Sequence, residues 1–287
     1  QTSDNIEAYE TFKLYEAWYD QLLFDDTLSI LVGLHDYNSE FYSLEYASGL
    51  LNSSFGVGVD VAQVGPSIFS TTSLAARVKT KVLERGYLMG ALYDGVPGDP
   101  NNPRGTHIDL SSDDGLFYAA ELGTLSEEGP DYYKVGLGFW FQTTDFEDFS
   151  GNEHSDNHGF YLIGERALYS EDGAGQGLGG FVQIGLPRES RNQIGQYVGA
   201  GLTYTGVIPS RDEDVLSFGV AHARNSDEYR NATEGALRAE TALELNYRGV
   251  ITPYLSVTPD LQWIIDPGTT AGVDDALAIG VRIELSL

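Results

Sequence analysis

Cysteine is absent from all 287 residues, and methionine occurs once. No disulfide, thiolate metal site or cysteine nucleophile can be built from this chain, and the missing thiols leave the compartment undefined. Basic residues are scarce: 16 Lys and Arg stand against 43 Asp and Glu, a formal net charge of −27. A nucleic-acid binder needs a basic footprint to displace phosphate counterions, so that class is excluded. No apolar run approaches the roughly eighteen residues of a membrane-spanning helix. Proline is sparse at 10, whereas Gly reaches 34, Tyr 18 and Phe 13. That many aromatics with only 21% charged residues is unlike an acidic disordered chain. Gln1 follows no Met and no signal peptide, and reads as a processed or truncated start.

What the chain does have is alternation. Leu277, Ile279, Val281, Ile283, Leu285 and Leu287 fall on one face of an extended segment; Ala278, Gly280, Arg282, Glu284 and Ser286 fall on the other. Tyr133, Val135, Leu137, Phe139 and Phe141 alternate in the same way with Lys134, Gly136, Gly138, Trp140 and Gln142. Ala76, Val78 and Val82 alternate with Arg77, Lys79 and Lys81, and Leu243 and Leu245 with Glu240, Ala242, Glu244 and Asn246. About thirteen strands are expected, near 10–23, 28–42, 73–84, 87–96, 115–125, 131–145, 159–170, 177–188, 194–207, 214–225, 236–251, 254–266 and 274–287. Many have ten residues or more, and a strand of roughly ten residues tilted about 45° crosses a bilayer core.

The links between strands alternate in length. Those at 24–27, 84–86, 126–130, 171–176, 208–213 and 252–253 are short; most of those at 43–72, 97–114, 146–158, 189–193, 226–235 and 267–273 are longer. Outer-membrane barrels sort their links this way, short turns at the periplasmic end and long loops outside. A soluble all-β sandwich would use the alternation to separate core from solvent, but has no reason to sort its loops. Tyr15, Tyr19, Tyr133, Phe141, Tyr204, Tyr247 and Trp263 lie near the ends of the apolar faces, where a barrel carries its aromatic girdles. The fold expected is therefore an all-β transmembrane antiparallel barrel, one domain over 1–287. An even-stranded barrel with a periplasmic C-terminus makes thirteen strands an odd count, so further strands before Gln1 are expected.

Several stretches resemble the carbohydrate-selective porin family, also called porin B or OprB-like. They include Leu14 to Gln21 (LYEAWYDQ), Leu50 to Gly56 (LLNSSFG), Ser111 to Gly115, Gly199 to Gly206 and Glu240 to Leu245. The most distinctive runs from Tyr93 to His107, YDGVPGDPNNPRGTH. The resemblance covers essentially the whole chain. It implies a sixteen-stranded outer-membrane channel of Gram-negative bacteria for passive diffusion of small sugars, with three strands preceding those counted here. Leu31, Leu34 and Gln183 depart from the family's pattern, Gln183 standing where Arg is expected, and the chain ends in Leu287 rather than Phe.

Within a barrel the polar faces look onto water. Arg77, Lys79 and Lys81 form a basic row on one strand, with Glu16, Glu121, Glu240, Glu244 and Glu284 as the opposing wall. Such rows create a transverse field that orients water and polar solutes. Salt bridges that hold the barrel's shape are the structural alternative. Lys134 and Arg282 add to the path, and Trp18 and Trp140 offer either stacking surface or filler against an inserted loop. The partly apolar link at 43–72 is expected to fold into the barrel mouth as a constriction, or else to pack on the rim. Arg77 and Lys79 are expected to be wet and dispensable for folding.

Other signals are weak. Gly173 to Gly179 is Gly-rich but opens no helix, so it is no phosphate loop. The five His show neither metal nor triad spacing, and no enzyme is expected. Asp99, Asp109, Asp113, Asp114, Asp145, Glu147, Asp148, Glu153 and Asp156 form acidic loops that either bind Ca²⁺ or share divalent ions with lipopolysaccharide. No resident cofactor is implied. The expected surroundings are small sugars, outer-membrane lipid and lipopolysaccharide, with a homotrimer as the assembly. A plugged structural or adhesive barrel is the competing function.

Overall fold

The computed structural model describes residues 1–286 apart from 7, 100, 107, 109, 112, 127, 128 and 172–174. Expectations that touch Pro100, His107, Asp109, Ser112, Asp172, Gly173, Ala174 and Leu287 lie outside those residues. Thirteen strands form one antiparallel sheet in chain order. The first six are β1 (Ala17–Leu23), β2 (Leu28–His35), β3 (Ser73–Val82), β4 (Gly86–Asp94), β5 (Leu116–Leu125) and β6 (Tyr133–Gln142). A separate small hairpin follows, β7 (Phe146–Glu147) with β8 (Glu153–His154). The sheet resumes with β9 (Asn157–Ser170), β10 (Gly177–Pro187), β11 (Ile194–Thr205) and β12 (Val215–Asn225). It ends with β13 (Ala239–Thr252), β14 (Leu255–Ile265) and β15 (Ala276–Leu285). Two short helices, α1 (Val59–Ala62) and α2 (Asp227–Ala232), lie in the links, and no described helix is long and apolar enough to cross a membrane.

Two strands are only about half as long as their sequence pattern. The segment expected from 28 to 42 leaves the sheet after His35, because Asp36 accepts the amide of Asn38 (2.7 Å) and caps a 3₁₀ turn over Tyr37–Ser39. The one expected from 10 begins at Ala17; before it, Tyr15 donates to Asp36 and so does not join an aromatic girdle.

The two faces of the sheet are chemically opposite. Leu122, Leu137 and Ile279 are 54%, 56% and 77% exposed, while Glu121, Glu244 and Gln262 across the pleat are buried. Water penalises that outer stripe, since moving a Leu-sized side chain into an apolar phase gains roughly 1.5–3 kcal/mol; hydrocarbon accepts it. At the short-turn end Tyr204 Oη donates to Glu171 (2.7 Å) and Tyr247 to Asp214, so phenols anchor the rim where apolar stripe meets polar turn.

The inner face is packed by pairing large with small. Tyr87 lies over Gly123, Tyr161 over Gly138, Trp140 over Gly159 and Phe181 over Gly201, and a Cβ at any of these glycines would overlap the ring. The abundance of Gly and of aromatics thus has one cause. The same face is covered by residues 36–72. Tyr42 reaches β5 and Asn52 reaches β14, eight strands apart counting both, within one turn-rich stretch. On a flat sheet those strands would be about 34 Å apart at roughly 4.8 Å per step. Ten residues cover that distance only when fully extended, at about 3.3–3.6 Å each. The sheet therefore curls around the segment, with β1 and β15 as its two edges.

Candidate functional site

Residues 36–72 carry almost no regular structure, so their backbone N–H and C=O groups need partners from elsewhere. The inner wall supplies them. Glu121 on β5 accepts the amide of Tyr42 (3.1 Å). Glu165 on β9 accepts those of Glu45 (3.1 Å) and Tyr46 (2.8 Å). Glu244 on β13 accepts those of Leu51 (2.6 Å) and Asn52 (2.8 Å). The carbonyls are met by donors: Lys134 Nζ to Ser43 (2.6 Å), Thr203 to Tyr46 (2.8 Å), Asn246 to Gly49 (2.9 Å) and Gln183 to Phe55 (2.9 Å). Charged acceptors make these ties stronger than ordinary amide pairs, roughly 1.5–3 kcal/mol each.

This changes the role of several residues expected to line open water. Glu121 is buried and occupied, accepting hydrogen bonds from Tyr87 Oη and Tyr161 Oη (both 2.6 Å) besides the Tyr42 amide. Glu244 is buried as well, and Glu240 accepts Gly268 N at 2.5 Å. None of the three pairs with the basic row, so the opposing acidic wall is not there. Trp140 is buried, stacked on Phe117 at 6.2 Å, and offers no face to a solute. Glu16 accepts the amide of Asp36 (2.9 Å).

The basic row finds its counter-charge on the inserted segment and β1. Arg77 Nε lies 2.6 Å from Glu40 Oε2, its Nη2 lies 3.7 Å from Asp20, and Ser29 accepts a further bond. Arg77 is only 3% exposed, so the expectation of a wet guanidinium fails: the 36–42 turn covers it. Lys79 Nζ stands 3.5 Å from the other oxygen of Glu40 and stays partly open, and Lys81 is exposed. Trp18 is exposed on edge strand β1. On the other edge, Arg282 bonds Asp4 (2.8 Å) and Asn5 (2.6 Å), and Glu284 faces Arg248 at 3.5 Å. Of the expected lumen residues, Trp18, Lys81 and Glu284 are exposed, and Lys79, Lys134 and Arg282 stay partly open to water.

Glu40, Glu165 and Asp60 were not singled out by sequence. Asp60 opens α1, is fully buried, accepts Tyr42 Oη at 3.1 Å and pairs with no cation among the described residues. Its Oδ2 has no hydrogen-bond partner among the described residues, and burial pushes its carboxyl up to about 7. Among the described residues no three His, Asp or Glu are placed to hold a metal ion. In the outer hairpin Asp148 accepts instead from Ser150 N (2.8 Å), Asn152 N (2.9 Å) and His154 (3.0 Å).

A curled antiparallel sheet with an apolar outer stripe, a polar inner face and a segment pinned inside it is an outer-membrane channel rather than an enzyme. Over residues 1–287 the chain matches the carbohydrate-selective porin, OprB family, and it belongs to that family. It is 25% identical to Porin B of Pseudomonas aeruginosa, across 96% of this chain and 68% of that protein. It is 24% identical to the putative porin QuiX of Acinetobacter baylyi, across 96% and 69% of the two chains. The high-pH structure of Pseudomonas putida OprB shares the fold, with a TM-score of 0.83 at 22% identity over 93% of this chain and 71% of that one. The chain is thus a carbohydrate-selective porin of the Gram-negative outer membrane.

Proposed function

We propose that small neutral sugars diffuse through the barrel interior past the inserted segment, along the polar groups that stay open to water. The observation that carries this reading is that the segment is pinned inside the barrel without using every polar group there: Glu121, Glu165 and Glu244 tie it to β5, β9 and β13 and Glu40 ties it to Arg77 on β3, while Lys79, Lys81 and Glu45 stay at least partly open to water. Lys79, Lys81 and Glu40 supply donors and acceptors that replace a sugar's water, and Trp18 supplies an apolar face. Near-balanced charge at Glu40 favours neutral solutes over ions of either sign. Lys134, by contrast, spends a donor on the segment. Lipid and lipopolysaccharide cover the outer apolar stripe in this reading, and the assembly is a homotrimer.

The test is reconstitution. Purified protein in planar bilayers is expected to conduct, and proteoliposomes are expected to swell in isotonic glucose and maltose. A barrel blocked by its segment, serving structure or adhesion, would give no conductance and no swelling. Conductance without sugar-dependent swelling would remove the sugar path while leaving an ion pore.

A further inference from the structure

We propose that the cavity at the short-turn end of the barrel is a saccharide-binding vestibule with the Tyr46 and Tyr132 rings as its platform. The proposal rests on the sugar-passage reading and names a site for it. The cavity measures about 1040 Å³. Small-molecule sites usually span about 300–1,000 Å³, so a disaccharide with some of its water fits. Residues 45 and 46 of the inserted segment bound it on one side, and strand ends beside the short turns bound it on the other.

The two rings meet edge to face, 5.7 Å apart at 75°, and both line the cavity half-buried. One carboxylate fixes both. Glu165 Oε1 accepts Tyr132 Oη at 2.6 Å, and its Oε2 accepts the Tyr46 amide at 2.8 Å. Thr203 holds the Tyr46 carbonyl at 2.8 Å, and the Tyr46 ring occupies the notch left by Gly179. The platform is therefore ordered before any ligand arrives, which removes most of the entropy cost of forming it.

Polar groups of both signs surround the rings. Lys134 Nζ gives one donor to Ser43 O (2.6 Å), and an ammonium carries three. The carboxylate of exposed Glu45 sits at the same mouth as an acceptor. A rigid aromatic pair flanked by one donor-rich cation and one carboxylate suits a pyranose, which has an apolar C–H face and hydroxyls at its rim. An anion meets Glu45, a cation meets Lys134, and an apolar solute leaves both desolvated.

The test uses the full chain in planar bilayers, with maltose as probe and acyclic sorbitol as the control without a ring face. Maltose added at the short-turn side is expected to reduce ion current saturably, and sorbitol is not. Tyr46→Leu and Tyr132→Leu keep apolar volume but lose the aromatic face, and should raise the half-blocking concentration about tenfold. Tyr132→Phe keeps the ring but loses the bond to Glu165, and should stay within about twofold of wild type. Equal losses in Tyr132→Phe and Tyr132→Leu would show that Tyr132 serves only as a tie to Glu165, and would overturn the vestibule. So would unchanged block in both Leu variants, or wild-type swelling in maltose without saturable block; in either case sugar passage itself would stand. No swelling of wild-type proteoliposomes would remove passage and vestibule together.

Discussion

Glu40 Oε2 stands 2.6 Å from Arg77 Nε, so a carboxylate from the inserted segment neutralises the most buried cation of the barrel wall. Its other oxygen faces Lys79 at 3.5 Å. The counter-charge to the basic row is thus carried by the segment and by Asp20, not by a far wall. Glu40→Gln keeps the size of the side chain and removes the charge, leaving Arg77 and Lys79 under-compensated. Reversal potential in a salt gradient is expected to move toward anion selectivity, and the shift should shrink at high salt. An unchanged reversal potential would mean that ions pass elsewhere.

Arg77 and Lys79 should separate on mutation. Lys79→Ala breaks a half-open pair, a contact usually worth about 0–1 kcal/mol, and should fold normally while altering selectivity toward cations. Arg77→Ala strands Glu40 and Asp20 beside a buried hole, a change that costs about 3–5 kcal/mol for a fully buried pair and somewhat less here, where both carboxylates keep some water. Heat-modifiable migration on gels would report this as a lower conversion temperature for Arg77→Ala alone. Equal behaviour of the two variants would refute the burial argument.

The anchoring carboxylates make the third prediction. Glu244→Ala leaves the amides of Leu51 and Asn52 without acceptors, at about 1–3 kcal/mol each for a buried donor. The wall itself should survive, because the ladders of β13 with β12 and β14 do not involve the side chain. Single-channel records should then show added open-state noise, and limited proteolysis should cut within 49–57. Quiet traces together with an uncut segment would show that the remaining ties suffice.

The face of each strand was legible in the sequence because one side must meet lipid and the other must not. Val281 and Arg282, or Leu243 and Glu244, declare the pleat without help. The thirteen-strand count followed from the same alternation. The path of residues 36–72 was not legible, since the segment has no period and its anchors are remote: Glu244 lies 193 residues from Leu51. Glu165 escaped notice because Tyr161 and Ile163 share its inward face and hide the polar side. Glu40 was hidden by an apparent continuation of β2, which Asp36 ends by capping a turn.

Asp60 gives the segment a pH dependence whose sign can be worked out. Its carboxyl is enclosed by Tyr42, Tyr197, Gly58 and the backbone of Gly185, with no cation in contact among the described residues, so burial favours the neutral acid and raises its pKa to about 7. The folded value lies above the ordinary Asp value of about 3.9. Below about pH 4 both folded and released states are protonated, and Asp60 opposes docking of α1 least. Between about pH 4 and 7 the released state ionises first, so docking weakens by at most about 1.4 kcal/mol per pH unit. Above about 7 the full penalty applies and the dependence on pH ends. Asp60→Asn is neutral throughout and should abolish the trend. Hydrogen exchange of the α1 amides, compared between wild type and Asp60→Asn at pH 5, 6.5 and 8 so that intrinsic exchange cancels, should show protection in the wild type falling with pH relative to the variant. A constant difference across the three conditions would show that Asp60 does not titrate in this range.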